Sequence, residues 1–211
     1  MTSRRPRPAP ARRCATADPV DDAFAAVRRA DFLPRGETRL AAVDQPLPIG
    51  HGQTNSQPST VRHLLVRLEV APGQRVLDVG SGSGWTTALL GHLVGPTGSV
   101  VGVEVVPELV DFGRANLAAY PASWTRIEPA RPGVVGLPDL APFDRILVSA
   151  EARTLPEDLV TQLAPGGVLV MPVAGRLKVV RRPEDPAGEV HVETHGHYRF
   201  VPLVVPGEEP Q

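Results

Sequence analysis

The sequence predicts an α/β fold, with a mostly parallel sheet that carries helices on both faces and ends in antiparallel strands. Across the middle of the chain, short apolar runs alternate with segments of helical periodicity. The apolar runs are nearly continuous, which is typical of parallel strands buried on both faces. After residue 173, two strand-like segments follow each other without a helix between them, so the last strands are expected to pair antiparallel.

The chain is predicted to begin with a short helix and a long loop. The helix covers 22–30 and places Phe24 and Val27 on one face. Residues 44–60 have no periodic apolar face and are rich in proline, glycine and small polar side chains, so we predict a loop. Long loops in compact domains often carry functional residues. Helical spacing returns over 61–68.

The central and final elements follow in a regular order. We predict strands over 75–80, 100–104, 124–128, 143–149, 168–173, 177–181 and 190–200, and helices over 85–94, 107–120 and 156–163. Pro107 and Glu108 suit the first turn of a helix, by backbone geometry and by charge respectively. The Ala-Pro-Gly-Gly sequence at 164–167 is predicted to end the last helix.

The composition restricts the classes of function. The chain has 22 Lys and Arg against 23 Asp and Glu, which gives no basic field of the kind that nucleic-acid binding needs. It contains no apolar run of about 18 residues and no secretory signal pattern, so no membrane partner is predicted. Cys14 is the only cysteine, which excludes an internal disulfide and a cysteine-built zinc site. We expect a cytoplasmic, monomeric enzyme.

Residues 1–19 are predicted to be a disordered tail, and 20–211 a single domain. The tail has no acidic residue before Asp18 and too little apolar surface to offset the entropy of ordering. Its basic residues are Arg4, Arg5, Arg7, Arg12 and Arg13. The alternative is a basic arm for nucleic acid or for an acidic partner.

The strongest chemical signal is the glycine-rich turn that follows the strand over 75–80. Glycines at such a turn permit positive φ angles and a close approach of ligand to backbone, and the next helix offers free N–H groups. Glu104 ends the neighbouring strand, where a carboxylate can accept both hydroxyls of a ribose. The residues predicted to hold a nucleoside cofactor are Asp78, Gly80, Ser81, Gly82, Gly84 and Glu104.

The spacing of these glycines selects among nucleoside cofactors. A dinucleotide fingerprint needs a glycine at the position of Trp85, which disfavours a nicotinamide enzyme. The chain also lacks the Gly-x-x-x-x-Gly-Lys-[Ser/Thr] loop of nucleoside triphosphate enzymes. Alternating glycines preceded by Asp78 are the pattern of S-adenosylmethionine sites, so S-adenosyl-L-methionine is the predicted cofactor.

Several other segments have a recognisable form. They are Pro46-Leu-Pro-Ile-Gly-His-Gly-Gln-Thr-Asn-Ser-Gln-Pro58, Pro107-Glu-Leu-Val110, Gly136-Leu-Pro138, Pro142-Phe-Asp-Arg-Ile146, Gln162-Leu-Ala-Pro-Gly-Gly167 and Arg199-Phe-Val-Pro-Leu203. With the glycine turn, they resemble the protein-L-isoaspartate O-methyltransferase family over roughly residues 22–203. The resemblance implies a Rossmann-like methyltransferase sheet of seven strands. It also implies methylation of the α-carboxylate of L-isoaspartyl residues in damaged proteins or peptides, a repair reaction.

The resemblance also implies roles for individual residues. Ser56 takes the place of the serine that hydrogen-bonds near the accepting carboxylate, and is the predicted catalytic residue. The predicted substrate-binding residues are Thr54, Asn55, Val201, Pro202 and Leu203, and Gln53, Thr54 and Ser56 join the cofactor-binding set. Ordinary loop capping is the alternative for Ser56 and Thr54. A carboxylate acceptor is ionised at pH 7, so no general base is required.

Three departures from the family pattern keep other functions open. Pro132 stands where the family has an aspartate that meets adenine, Asn55 replaces an apolar residue, and Glu151 and Arg153 replace small apolar residues and proline. Glu151 and Arg153 are expected near the mouth of the site, or as a solvated pair. The alternatives are a carboxyl methyltransferase for one dedicated peptide and a non-catalytic binding module of the same fold.

The remaining candidates are histidines and one tryptophan. If strand-like, the segment around 191–197 presents alternate side chains on one face, namely His191, Glu193, His195 and His197. A polar edge-strand face is favoured there over zinc, and no metal is predicted. His51 touches substrate or caps a turn, and His92 is predicted to lie on a helix surface. Trp85 is either core packing or a wall of the cofactor pocket.

Overall fold

The computed structural model describes residues 18–185, 187–205 and 207, and its centre is one seven-stranded sheet. The strands are β1 (Leu47–Gly50), β2 (Gln53–Asn55), β3 (Arg75–Val79), β4 (Ser99–Glu104), β5 (Thr125–Pro129), β6 (Phe143–Val148), β7 (Leu163–Val173), β8 (Arg176–Arg181) and β9 (His191–His197). The sheet has the order β5-β4-β3-β6-β7-β8-β9, in which β3 to β7 are parallel. Strands β8 and β9 are antiparallel. The predicted fold class is therefore confirmed.

Helices cover both faces of this sheet unequally. They are α1 (Pro19–Ala26), α2 (Pro58–Leu68), α3 (Trp85–Val94), α4 (Pro107–Leu117) and α5 (Glu157–Thr161). Side chains of α1 to α4 share a core cluster with one face of the sheet, to which β3 contributes Val76. The other face, to which β3 contributes Leu77, is covered by α5 and the segment 130–142. Helix α3 has the predicted bounds, and His92 is its one exposed residue. No described helix is long and apolar enough to cross a bilayer.

The first helix starts inside the segment predicted as a tail. Asp18 caps α1, because its Oδ1 accepts a hydrogen bond of 3.0 Å from the Val20 N–H, and Pro19 is the first helical residue. The tail prediction was therefore wrong for these two residues, and the rest of the tail lies outside the described residues. The helix ends at Ala26, four residues earlier than predicted, and a short 3₁₀ turn follows over Arg29–Phe32.

The predicted loop over 44–60 was wrong in most of its length. It contains the antiparallel hairpin of β1 and β2, and then the first residues of α2. Leu47 and Ile49 are buried on one side of β1, and they pack with Leu33 and Leu109 in a small separate cluster. Strand β1 has only four residues, including a proline and a glycine, so it is too short to show a periodic pattern. The hairpin therefore forms because Leu47 and Ile49 pack against distant residues.

The predicted stop of the last helix belongs to a strand. Helix α5 ends at Thr161, and β7 begins at Leu163 with an irregular stretch. Phe143 pairs with Leu163, but Arg145 already pairs with Val168, so residues 164–167 bulge out of register. The Ala-Pro-Gly-Gly sequence therefore forms a strand bulge. The other element bounds differ from the prediction by at most three residues.

Candidate cofactor and acceptor site

The carboxyl ends of β3, β4 and β6 open into a crevice that encloses about 900 Å³ of empty space, part of it open to solvent. Three distant parts of the chain form its main walls: residues 53–56 of the hairpin, residues 80–83 of the glycine loop, and residues 201–205. Residues 103–105, 130 and 134–136 add to the lining. The predicted site residues that line it are Gln53, Thr54, Asn55, Ser56, Gly80, Ser81, Gly82, Glu104, Val201, Pro202 and Leu203. Asp78 and Gly84 do not line it.

The glycine loop (80–84) has the conformation that its sequence predicts. The N–H groups of Gly80 and Ser81 both donate to the Val103 carbonyl oxygen, at 2.8 and 3.1 Å, which fixes the loop on β4. Gly82 and Gly84 have φ angles of +53° and +88°, which residues with a side chain rarely adopt. A Cβ on Gly84 would lie 3.2 Å from the Gly113 carbonyl oxygen. Gly84 is therefore needed for packing against α4 rather than for a place in the crevice.

Glu104 ties the end of β4 to the glycine loop. It is buried, and its Oε2 accepts a hydrogen bond of 2.8 Å from the Gly82 N–H. Its Oε1 accepts from the N–H groups of Val105 and Val106, at 2.8 and 2.9 Å. Oε1 thereby uses both of its lone-pair sites, whereas Oε2 can still accept a further bond from a ligand. The side chain thus shapes the loop and presents a fixed negative charge to the crevice.

Asp78 lies beneath the glycine loop, fully buried. Its Oδ2 accepts hydrogen bonds of 2.7 Å from both the Thr86 and Thr87 hydroxyls, while Oδ1 has no partner among the described residues. Burial raises the pKa of the Asp78 carboxyl from 3.8 to about 6, and the two threonine bonds partly oppose this. The predicted direct contact with cofactor is therefore replaced by a supporting position under the loop.

We expect Asp78→Asn to stabilise the protein above pH 6. Because the native pKa of Asp78 is raised, its contribution to stability is fully present below about pH 4 and is lost as the pH rises through about 6. Ionising this carboxyl costs the native state on the order of 3 kcal/mol, which the neutral amide avoids. Urea unfolding of the cofactor-free protein between pH 4 and pH 7.5 measures this. An unchanged pH slope in Asp78→Asn, relative to the exposed-acid control Asp139→Asn, would contradict the assignment.

Arg29 holds the hairpin in place, a role that no sequence pattern indicates. Its buried guanidinium donates through Nε to the Asn55 Oδ1 at 2.8 Å. Its other nitrogens donate to the main-chain carbonyl oxygens of Ala41, Val43, Gln45, Asn55 and Ser56. Burial lowers the pKa of Arg29, but a guanidinium remains charged at any physiological pH. Nothing in a single sequence separates Arg29 from its exposed neighbour Arg28.

Trp85 combines the two roles that the sequence left open. It is 3% exposed, its ring meets Phe24 edge-on at 5.4 Å between centroids, and its Nε1 donates to the Val27 carbonyl oxygen. The Arg29 guanidinium lies 5.4 Å from the ring centroid, within the range of a cation–π contact. Trp85 is thus a core residue that also lines the crevice.

The C-terminal wall is attached through main-chain bonds to Glu151. The Glu151 N–H donates to the Val201 carbonyl oxygen at 2.8 Å, and the Leu203 N–H donates to the Glu151 carbonyl oxygen at 2.7 Å. The Glu151 Oε1 accepts from the Gly175 N–H at 2.8 Å, so this side chain closes the turn between β7 and β8. Neither Glu151 nor Arg153 lines the crevice, although Glu151 lies directly beside its C-terminal wall.

The wall beside Pro132 is apolar. Pro132 itself is exposed and outside the lining, which is formed there by Ala130, Val134 and Val135. The buried Gln162 fixes this wall, because its Nε2 donates to the Val135 carbonyl oxygen and its Oε1 accepts from the Leu137 N–H, both at 2.8 Å. This part of the crevice offers apolar contact to a flat ring, and Pro132 supplies no carboxylate there.

The histidines lie outside the crevice. The one at the hairpin turn, His51, is exposed with φ of +54°. On the edge strand β9, the His195 Nε2 lies 3.2 Å from the Glu193 Oε2. Within the described residues, no group of three or more His, Cys, Asp or Glu side chains could hold a metal ion.

Comparison with known proteins identifies the family of this chain. The family described as protein-L-isoaspartate(D-aspartate) O-methyltransferase matches residues 9–208. This chain belongs to that family. A protein-L-isoaspartate O-methyltransferase of Methanopyrus kandleri is 44% identical over 194 residues, which cover 90% of this chain and 84% of the relative. The family predicted from the sequence is confirmed.

Solved structures of protein-L-isoaspartate O-methyltransferases are also similar in fold. One matches with a TM-score of 0.79 at 25% identity over 88% of this chain, and this chain spans 61% of it. A Plasmodium falciparum protein, solved in complex with S-adenosyl-L-homocysteine, matches with a TM-score of 0.77 at 28% identity. That match covers 90% of this chain and 91% of the other.

Proposed function

We propose that this chain transfers a methyl group from S-adenosyl-L-methionine to the α-carboxylate of L-isoaspartyl residues in proteins or peptides. The observation that carries the proposal is the joining of two half-sites in one crevice. The glycine loop and Glu104 form one half, and the hairpin residues 53–56 with residues 201–203 form the other. Family membership supports the reaction, and the S-adenosyl-L-homocysteine bound to a relative of similar fold supports the cofactor.

The residues present fit a nucleoside cofactor. The Ser81 Oγ is buried at the crevice without a partner in the described part of the chain, and is available to a polar ligand after rotation. Glu104 suits ribose hydroxyls. Val103, Val105 and the wall beside Pro132 suit the adenine ring, without the usual acid. When bound, S-adenosylmethionine supplies a methyl group on a sulfonium.

The chemistry required of the protein itself is positioning. The accepting carboxylate is ionised at neutral pH, so no side chain has to remove a proton. Ser56 orients this carboxylate from the hairpin, and Thr54 and Gln53 complete the wall toward the cofactor. A closed, dry crevice favours a reaction in which opposite charges neutralise each other. Correct in-line placement contributes up to roughly 7–11 kcal/mol to such a step.

A pair of matched peptides tests the reaction. An isoaspartyl peptide should yield methyl ester with S-adenosylmethionine, whereas the same peptide with ordinary aspartate should yield none. Ser56→Ala should lower kcat/KM about 10- to 100-fold, because the carboxylate is then misaligned. Ser123→Ala, which removes an exposed hydroxyl, is the control and should match the wild type. Ester on neither peptide, despite cofactor binding, would replace this proposal by a dedicated acceptor.

Asn55 and Glu151, two of the departures that suggested a dedicated peptide substrate, make contacts within the protein that explain them. The Asn55 amide is turned toward Arg29 and Ser83, and Glu151 closes a turn outside the crevice. The missing acid at Pro132 suggested a non-catalytic module, but the apolar wall beside Pro132 can contact an adenine ring without that acid. Neither alternative is therefore favoured by a specific contact.

The composition of the chain supports a proposal for its compartment, oligomeric state and partners. We take it to be a cytoplasmic monomer with a single domain after the Arg- and Pro-rich tail, acting on proteins rather than on nucleic acid or membranes. The single cysteine is consistent with a reducing compartment. The near-zero net charge of −1 supports the absence of a nucleic-acid partner.

A further inference from the structure

The hairpin rests directly on the glycine loop at two points. The Asn55 Nδ2 donates a hydrogen bond of 3.2 Å to the Ser83 Oγ, and both residues are buried, at 5% and 2% exposure. A Cβ built on Gly82 would lie 3.2 Å from the Ile49 Cδ1, so β1 covers this glycine closely. The two halves of the crevice are therefore in contact before any ligand binds.

The orientation of the Asn55 amide is determined by its two partners. A guanidinium can only donate, so the oxygen of the amide must face the Arg29 Nε, 2.8 Å away. The NH₂ group then points to the Ser83 hydroxyl. Rotating the amide would turn its NH₂ group toward the Arg29 Nε–H, so that bond is lost and a buried donor has no partner, which is costly. Asn55 is thus a rigid bridge between Arg29 and Ser83.

We propose that Asn55 is a positioning residue that couples cofactor binding to acceptor binding. The proposal rests on the proposed function, because it assigns the glycine loop to the cofactor and the hairpin to the acceptor. A ligand that orders the glycine loop fixes the Ser83 hydroxyl, and through it Asn55. Thr54 and Ser56 are the chain neighbours of Asn55, so the same event orders the acceptor wall. Such coupling is reciprocal and typically amounts to 5- to 150-fold in affinity.

The bridge can be broken and restored by substitution. Asn55→Leu is similar in size but removes both bonds, leaving the Arg29 Nε and the Ser83 Oγ buried without their partner. In Asn55→Asp one oxygen accepts from Arg29, and the other accepts from the Ser83 hydroxyl after it rotates. Ser83→Ala removes only the contact with the glycine loop and keeps the bond between Asn55 and Arg29.

Calorimetry on the full chain tests the coupling. The dissociation constant of S-adenosyl-L-homocysteine is measured with and without a saturating isoaspartyl peptide, which forms an unreactive ternary complex. We expect the peptide to tighten cofactor binding at least about fivefold in the wild type. The ratio of the dissociation constants measured without and with peptide should fall to about one in Asn55→Leu and Ser83→Ala. It should stay close to the wild-type value in Asn55→Asp. The double variant Asn55→Leu with Ser83→Ala should lose no more coupling than either single variant.

The controls separate coupling from stability and from the reaction. Thr161→Ala removes an exposed hydroxyl on α5 and should keep the wild-type ratio. Ser83→Ala carries the test if Asn55→Leu does not fold. A wild-type ratio near one, or an unchanged ratio in Ser83→Ala, overturns the proposal even when methyl ester forms. Absence of ester from the wild type on the isoaspartyl peptide removes the proposed function, and this coupling with it.

Discussion

Replacing Arg29 by methionine is expected to abolish methyl transfer and to lower the free energy of unfolding by at least about 3 kcal/mol. The side chain binds five main-chain carbonyl oxygens between Ala41 and Ser56, and also the amide of Asn55. Methionine would leave these acceptors, which are buried at Asn55 and partly buried elsewhere, without their donor. Arg29→Lys keeps the charge but has one nitrogen instead of a planar fork, so it should recover only part of the loss.

Arg28→Met is the matched control for this prediction. Arg28 is the preceding residue, its side chain is 73% exposed, and its one ion pair within the described residues, with Asp31, is long at 3.9 Å. Its loss should change stability by less than about 0.5 kcal/mol. Urea unfolding and the methyl ester assay measure both variants. If Arg29→Met is as stable and active as Arg28→Met, the hairpin does not depend on this guanidinium.

Glu104→Gln is expected to weaken the binding of S-adenosyl-L-homocysteine by about 100-fold. The carboxylate accepts from the N–H groups of Gly82, Val105 and Val106, and an amide must point its own NH₂ group at one of these donors. Because these bonds hold the glycine loop with and without ligand, breaking one of them displaces the loop from the position that receives the cofactor, and each charged bond lost to the ligand costs about 1.5–3 kcal/mol. The proposed bonds to ribose hydroxyls would be lost in addition.

Calorimetry measures this affinity, and Glu108→Gln serves as the control. Glu108 lies only four residues further on, exposed in the first turn of α4, so it makes the same chemical change outside the crevice. If the dissociation constants of Glu104→Gln and Glu108→Gln differ by less than about threefold, the cofactor does not contact the Glu104 carboxylate.

The sheet and the glycine loop could be predicted because their signals are local. Buried parallel strands are continuous apolar runs, and the bounds of α3 follow from Gly84 before it and Gly95 after it. The placement of Glu104 follows from parallel topology, since neighbouring strand ends meet at one edge. These parts of the site can be predicted without knowing which distant residues are in contact.

The hairpin and its supports could not be predicted, because distant residues decide them. Strands of four and three residues are stabilised by packing on Leu33 and Leu109 and by Arg29, none of which is adjacent in sequence. Asn55 is recognisable as a departure from the family pattern, but its partner Ser83 lies 28 residues away. Asp78 fits the motif, yet alternation along β3 turns its side chain toward Thr86 and Thr87.

The order of the three crevice walls along the chain has a consequence for synthesis. Residues 53–56 emerge from the ribosome first, residues 80–83 soon after, and residues 201–205 last. The sheet already has its final strand at His197, so a nascent chain can fold its core while one wall is missing. The crevice is therefore completed last, when Val201 and Leu203 bond to Glu151 and Leu203 packs against the core. We expect a chain that stops short of these residues to keep the seven-stranded sheet but to have an open groove in place of the crevice.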